Sequence, residues 1–231
     1  MIFQKFRVLA FTRLLATGLA FSLIHINPLG AVQAESPSSE KTKPVLEEKS
    51  PSTTEKSAPD DWSFFRGDSL STGRSKTNLP KDLSLVWTFK VPKGAFESTA
   101  AIVGDRVYIS DLDGKVYALN LETGKKIWEF KTESGFTSSP AVRDGLIFIG
   151  DYDGTFYCLD KKGQLKWKHV TEAEINSSAN FFKDNVLFGS QDATLYCLNM
   201  QTGKLQWSFQ IEDQIRCSPT VVENRCFVAG C

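Results

Sequence analysis

The chain has very little histidine. Its two histidines among 231 residues are His25 and His169. His25 lies in the N-terminal segment, while His169 stands just after a recurring tryptophan, where Phe89, Phe130 and Phe209 stand elsewhere in the chain. We interpret His169 as a structural replacement for an aromatic residue. A histidine-based catalytic triad or a multi-histidine metal site is therefore not expected here.

An excess of charge of either sign is also missing. Lys and Arg number 27 and Asp and Glu number 27, so the formal net charge is zero. A nucleic-acid-binding protein normally carries a basic excess that neutralises phosphates. We therefore expect no nucleic-acid partner, although a balanced total leaves the local distribution of charge open.

Cysteine is absent from the first 157 residues, and no two cysteines are adjacent in sequence. The five are Cys158, Cys197, Cys217, Cys226 and Cys231. Cys158 and Cys197 replace Ala118 at one position of successive repeats, which indicates small buried core residues rather than a disulfide. Cys217 and Cys231 are candidates to face each other across the last hairpin, and the pairing of Cys217, Cys226 and Cys231 stays open.

What the chain does have is a repeat. Four tryptophans, Trp87, Trp128, Trp167 and Trp207, follow one another at intervals of 41, 39 and 40 residues. Short runs rich in Val, Ile, Tyr and Phe lie between them, bounded by Gly and Asp, as expected of strands. A period of about 40 residues made of short strands predicts an all-β protein, a β-propeller with one four-stranded blade per repeat.

The turns between the predicted strands are equally regular. For the first complete blade we predict strands A to D near residues 97–103, 106–111, 114–120 and 125–132, and the other blades follow by offset. Asp113-Gly114 and Asp153-Gly154 are predicted hairpin turns, and Asp192-Ala193 stands at the same place in the third repeat. Asp-x-Asp-Gly superficially resembles a calcium loop, but the further oxygen ligands of such a loop do not follow.

At the turn before each tryptophan the sequence resembles a known motif. The pattern is A-x-N-x-x-T-G-K-x-x-W over residues 118–128 and C-x-N-x-x-T-G-K-x-x-W over residues 197–207. It is similar to the tryptophan-docking motif of the pyrroloquinoline-quinone-like propeller repeat. The resemblance implies that each indole packs on the turn of a neighbouring blade, and we expect Trp128 and Trp167 to be largely buried there. The implied motif residues are Trp87, Gly124, Trp128, Gly163, Trp167, Gly203 and Trp207.

That family contains both quinone-dependent alcohol dehydrogenases and a non-catalytic propeller lipoprotein of the outer-membrane β-barrel assembly machine. In the dehydrogenases the resemblance implies a quinone stacked on the propeller axis with calcium and a vicinal disulfide. None of those positions can be matched here, so we expect no cofactor. The lipoprotein would have a cysteine near the signal, which this chain lacks.

The N-terminus has the features of a secretory signal over residues 1–34. It has a basic start without acidic residues, a mostly apolar run from Leu14 to Ile26, and small residues around Val32-Gln33-Ala34. We predict cleavage between Ala34 and Glu35, and a periplasmic or extracellular protein with no stable membrane span after cleavage. An uncleaved membrane anchor is the alternative.

The remaining chain divides into two parts. Residues 35–61 are rich in Pro, Ser, Glu and Lys and are predicted to be a disordered linker. Residues 62–231 hold the repeats: Leu85 to Val91 is predicted as a strand D without its own A to C, and strand B of a fourth unit ends near residue 231. About three and a half blades give an open or incomplete ring, so we expect an N-terminal fragment. An open arc that pairs with a second copy is the alternative.

Two functions remain from the sequence. The first is an exported, non-enzymatic scaffold whose loops and central mouth bind a protein or an envelope polymer. The second is the N-terminal part of a pyrroloquinoline-quinone-dependent dehydrogenase. Fold alone does not choose between them.

Overall fold

All regular elements of the described chain are β-strands. The computed structural model describes residues 7–11, 22–26, 32–35, 61–75, 77–78, 81–92 and 94–230. These strands form three four-stranded sheets, each a complete blade, and a fourth sheet of five strands. The predicted all-β propeller of about three and a half blades is confirmed. Residues 36–60 of the predicted linker lie outside the described residues.

Each complete blade is an antiparallel meander of a short inner strand followed by three longer ones. The first blade contains β4 (Ala101–Val103), β5 (Arg106–Ser110), β6 (Lys115–Asn120) and β7 (Lys126–Lys131). The second contains β8 (Ala141–Arg143), β9 (Leu146–Gly150), β10 (Thr155–Asp160) and β11 (Leu165–Val170). The third contains β12 (Asn180–Phe182), β13 (Asn185–Gly189), β14 (Thr194–Asn199) and β15 (Leu205–Gln210). The first strands of neighbouring blades contact one another, which defines the inner edge.

The fourth sheet begins with β16 (Thr220–Val222) and β17 (Arg225–Ala229). Three strands from the predicted signal, β1 (Arg7–Phe11), β2 (Ser22–Ile26) and β3 (Val32–Glu35), extend it, with β1 parallel to β17. The predicted cleavage residues Ala34 and Glu35 therefore lie in β3, and the cleavage itself stays a prediction. Within the described residues there is no helix long and apolar enough to cross a membrane.

Burial along the strands explains their composition. Strand β9 is buried at all five positions, because neighbouring blades cover both of its faces. Phe156 and Phe188 stack across the contact between the second and third blades, with ring centroids 3.8 Å apart. The outermost strands alternate instead between exposed and half-buried residues. Lysines such as Lys126 and Lys168 lie on these outer strands, where charge discourages edge-to-edge pairing.

Two predicted strands differ from the structure. The inner strand of the first blade begins at Ala101 rather than near residue 97. The residues before it are not part of the sheet ladder, because the Ser98 hydroxyl donates to the Ser110 carbonyl oxygen and the Thr99 amide donates to the Ser139 hydroxyl. The segment from Leu85 to Val91 is not a strand, and Leu85 is 83% exposed. Among the described residues no strand of its own blade lies beside it to complete a ladder.

Candidate functional site: blade contacts and the inner pocket

A β-bulge lies next to the repeated tryptophan at the same place in each complete blade and sets the orientation of its side chain. Ala118 pairs with Trp128, but the next residue, Leu119, pairs with Lys126, so that Ile127 is an extra residue in the outer strand. An extra residue bends a strand and turns its side chains. The same register shift follows the pairs Cys158–Trp167 and Cys197–Trp207.

Each indole then contacts a turn of the next blade. Trp128 Nε1 donates a hydrogen bond of 2.9 Å to the carbonyl oxygen of Lys161, and its ring lies over Gly163. A Cβ atom at Gly163 would come within 2.6 Å of that ring, and this glycine has a φ of 77°. The equivalent contacts are Trp87 with Leu121 and Gly124, and Trp167 with Met200 and Gly203.

Trp128 and Trp167 are mostly buried, as expected, and each keeps a minor part of its surface exposed, as do Trp87 and Trp207. Each docked indole has one face against the glycine turn, while the rest of the ring remains at the outer rim of the blade. Trp207 packs beside the apolar cluster that joins the third and fourth sheets.

Replacing Gly163 by Ala tests this contact. We expect a loss of about 2 kcal/mol in the free energy of unfolding, from the positive φ and the collision with the Trp128 ring together. Gly104 has a φ of 59° but nothing within 4 Å of an added Cβ. Gly104→Ala should therefore cost only about 1 kcal/mol, the backbone part alone. Denaturant unfolding of both variants measures the difference, and equal losses would contradict the contact.

Buried carboxylates hold a tyrosine in the first two blades. Asp111 is fully buried; its Oδ2 accepts a 2.7 Å hydrogen bond from the Tyr117 hydroxyl, and its Oδ1 accepts from the Lys115 amide at 2.8 Å. Asp151 repeats this arrangement with Tyr157 at 2.8 Å. Burial raises the pKa of Asp151, and burial together with the hydrogen bond to the aspartate raises the pKa of Tyr157. These tyrosines are therefore neutral donors at ordinary pH.

In the third blade the aspartate that accepts the tyrosine hydroxyl comes from a different position of the repeat. Ser190 stands where the buried aspartate stands in the other blades, and Asp192 Oδ2 accepts the Tyr196 hydroxyl at 2.7 Å instead. The following Ala193 has a φ of 67°, the conformation that glycine adopts in the other two hairpins. Among the described residues no group of three or more His, Cys, Asp and Glu side chains could hold a metal ion.

His169 lies against Tyr196, with ring centroids 5.4 Å apart. Burial lowers the pKa of His169, and the charge of Asp192 opposes that shift. The unfolded chain therefore binds the proton at a higher pH than the folded chain does. It follows that stability is full above the unfolded pKa of about 6.5 and falls as the pH is lowered through the folded pKa.

The His169→Phe variant should lose this part of the pH dependence. The free energy of unfolding of the wild type should fall between pH 7.5 and pH 5 by more than that of the variant. Urea unfolding at several pH values measures both slopes in the same buffers. Parallel curves would show that His169 is equally easy to protonate in the folded and unfolded chains.

A series of hydroxyls joins the blades at the inner edge. The Thr99 amide donates to Ser139 Oγ at 2.9 Å, the Ser139 amide to Ser178 Oγ at 2.8 Å, and the Ser178 amide to Ser218 Oγ at 3.0 Å. Each blade thus donates one backbone N–H to a side chain of the following blade. We call this series the hydroxyl ladder.

The cysteines have structural places. Cys158 and Cys197 are buried free thiols opposite the docking tryptophans, and burial raises the pKa of both to about 12. Cys226 is also a buried free thiol. The Cys217 thiol donates to the carbonyl oxygen of Ala229 at 3.0 Å, as Ser138 does to Gly150 in the second blade. Cys231 lies outside the described residues, so its pairing with Cys217 stays open.

A segment before the blades crosses all four inner strands, and we call residues 61–73 the inner strap. Trp62 exchanges two 2.8 Å backbone hydrogen bonds with Ile102 of β4. The Val142 amide of β8 donates to the Ser63 carbonyl oxygen at 2.7 Å. The carbonyl oxygen of Ser69 accepts from the Asn180 side chain of β12 at 3.0 Å and from the Val221 amide of β16 at 2.9 Å.

Between the inner strap and the hydroxyl ladder lies an open pocket of about 430 Å³, the inner pocket. The strap contributes Arg66 and Ser71 to its wall, and the loops before the inner strands contribute Glu97 and Arg216. No pattern in the sequence groups these residues. The sequence signal for the strap itself is the cluster of Trp62, Phe64 and Phe65 directly after the predicted linker.

Repeated four-stranded blades docked by tryptophan over glycine define a β-propeller protein of the pyrroloquinoline-quinone-like repeat class. A family model described as outer membrane protein assembly factor BamB matches residues 80–182 and 173–230. The chain belongs to this family.

The relatives of this chain include both outer-membrane protein assembly factors and dehydrogenases. An outer membrane protein assembly factor BamB of Burkholderia pseudomallei (strain K96243) is 30% identical over 84 residues, which are 36% of this chain and 22% of the relative. A polyvinylalcohol dehydrogenase of Pseudomonas sp is 26% identical over 191 residues, 74% of this chain and 23% of the relative. The chain thus spans less than a quarter of these two curated proteins.

The solved structures that resemble this chain also include a BamB and an alcohol dehydrogenase. BamB from Moraxella catarrhalis superposes with a TM-score of 0.53 at 20% identity, over 60% of this chain and 43% of that one. Quinohemoprotein alcohol dehydrogenase from Comamonas testosteroni gives a TM-score of 0.60 at 21% identity, over 67% of this chain and 28% of that one. At these identities the likeness supports the propeller fold.

Proposed function

We propose that this protein is an exported propeller scaffold that binds a protein partner in the cell envelope and assists the assembly of outer-membrane proteins. The observation that carries the proposal is the match of the BamB family model to residues 80–182 and 173–230, which contain nearly all of the described blades. The predicted signal over residues 1–34 supports export.

The chemistry of the repeats supports a scaffold as well. The docking tryptophans, the buried aspartates and the hydroxyl ladder all have partners within or between blades. These polar groups stabilise the propeller rather than face a substrate. Charged groups that face solvent, such as Arg66, Glu97 and Arg216, lie around the inner pocket, where a protein partner would have both signs of charge to contact.

Deleting the gene and measuring folded outer-membrane proteins in isolated envelopes tests this function. We expect their amount to fall and the wild-type gene to restore it. A matched gene encoding residues 35–231 after a start methionine should not restore it, because that product stays in the cytoplasm. An unchanged amount after deletion would contradict the assembly role, and restoration by the leaderless gene would contradict export.

A second candidate function has one observation in its favour. The alignment to the polyvinylalcohol dehydrogenase covers 74% of this chain. The buried carboxylates Asp111 and Asp151 do not favour a calcium-bound quinone, because they already accept hydrogen bonds from tyrosines and backbone amides. Equilibrium dialysis with pyrroloquinoline quinone and calcium, followed by a dye-linked alcohol assay, separates the candidates. Retained quinone with alcohol turnover would favour the dehydrogenase.

A further inference from the structure

We propose that the inner edges of the four sheets form one binding surface for a peptide that turns as the inner strap does, and that the strap is its resident, separable ligand. The proposal is independent of the assembly role. It rests on how the strap is held, on its partial exposure, and on the turns of its backbone.

Backbone groups supply most of the recognition. The strap meets one residue in each inner strand: Ile102, Val142, Asn180 and Val221. It crosses these strands one after another, so it gains one or two hydrogen bonds per sheet and forms no ladder with any of them. Recognition through main-chain groups admits a segment whose turns present its backbone groups at the same places, and side-chain contacts then select the sequence.

One aromatic side chain supplies the main apolar contact. Phe64 lies edge-on to Phe181, with centroids 5.7 Å apart, and packs on the buried cluster between the second and third blades. Trp62 folds back over Gly67, where an added Cβ would come within 2.7 Å of the ring. Leu70, in contrast, is 50% exposed. The surface therefore fits a peptide that turns as the strap does and has an aromatic residue at the Phe64 position.

The strap is held less firmly than the blades. None of residues 61–73 is buried, whereas β9 is buried throughout. Two of its residues that are not glycine, Arg66 and Ser71, have φ values of 60° and 55°, a conformation that costs free energy. A half-exposed, strained segment opens more easily than a buried strand does. Its covalent link to the blades keeps it at a high effective concentration over the inner edges.

Cutting that link in the folded protein tests the proposal. Two protease sites, one within residues 36–60 and one within residues 76–80, allow the strap alone to be cut free of the full chain after folding, with a fluorophore on the strap fragment. The pairing of β1 with β17 then no longer holds that fragment. We expect that fragment to co-elute with the blades in gel filtration and to be displaced by an excess of a synthetic peptide of residues 61–75. Circular dichroism should show that the blades stay folded throughout.

Two matched variants identify the anchor. Phe64→Ala should release the labelled fragment about tenfold faster or more, which corresponds to a loss of about 1.4 kcal/mol. Leu70→Ala, which truncates an exposed apolar residue of the same strap, should leave the release rate unchanged.

Three outcomes would overturn the proposal. Immediate separation of the wild-type fragment would show that the inner edges do not bind the strap by themselves. Unfolding of the blades on release would make the strap part of the core rather than a ligand. If the competing peptide failed to displace the fragment, or if both variants released it at the same rate, the inner edges would not be a sequence-selective binding surface.

Discussion

The Trp128→Ala substitution should lower the free energy of unfolding by about 3 kcal/mol relative to the wild type. The substitution removes an indole that covers Gly163 and a 2.9 Å hydrogen bond to the Lys161 carbonyl oxygen. That carbonyl would then keep only the hydrogen bond that the Arg106 guanidinium donates to it. Urea or guanidinium unfolding, followed by far-UV circular dichroism, measures the loss.

The neighbouring residue gives the control for this substitution. Ile127 is the extra residue of the same bulge and is 43% exposed. Ile127→Ala should cost less than about 1 kcal/mol, because little of its side chain leaves an apolar environment. A loss below about 1 kcal/mol for Trp128→Ala as well would contradict the docking role of the indole.

The second large effect concerns a buried carboxylate. Asp111→Ala should also cost about 3 kcal/mol, because it leaves the Tyr117 hydroxyl and the Lys115 amide without their acceptor. Thermal and denaturant unfolding of the variant measure this loss. A result near zero would mean that water replaces the carboxylate at no cost.

The third blade supplies the matched variant. It carries Ser190 where the first blade carries Asp111, and Asp192 accepts the tyrosine hydroxyl there. The first blade has Asp113 at the position of Asp192. Asp111→Ser should therefore cost clearly less than Asp111→Ala, and the double variant Asp111→Ser with Asp113→Ala should lose that advantage. Equal losses for Asp111→Ser and for the double variant would show that Asp113 cannot reach Tyr117.

Sequence patterns predicted the features that repeat at short range. The interval between tryptophans, the small residue at Ala118 and the glycine turns all recur within one period of the chain, so one blade explains the next. The predicted extra length of the first inner strand and the predicted strand at Leu85 were wrong, because apolar character does not show which backbone groups have partners.

Contacts between distant parts of the chain were not predictable in the same way. Ser69 meets Val221, and Thr99 meets Ser139 of the next blade, although nothing in the local sequence of either partner indicates the other. The sequence also did not predict that Asp192 accepts the Tyr196 hydroxyl in place of an aspartate at position 190, because both positions lie within an ordinary hairpin turn. The inner pocket depends on these distant contacts and therefore emerged only from the structure.

The hydroxyl ladder has a direction. At every junction the earlier blade donates the amide and the later blade supplies the hydroxyl. The docking tryptophan also extends from the earlier blade to the later one. Because the first-to-second and the second-to-third junctions use the same parts in the same order, an internal duplication of one repeat would insert a blade whose two sides already match its neighbours. The number of blades in such a chain is therefore free to change by gene duplication, without any new contact having to arise.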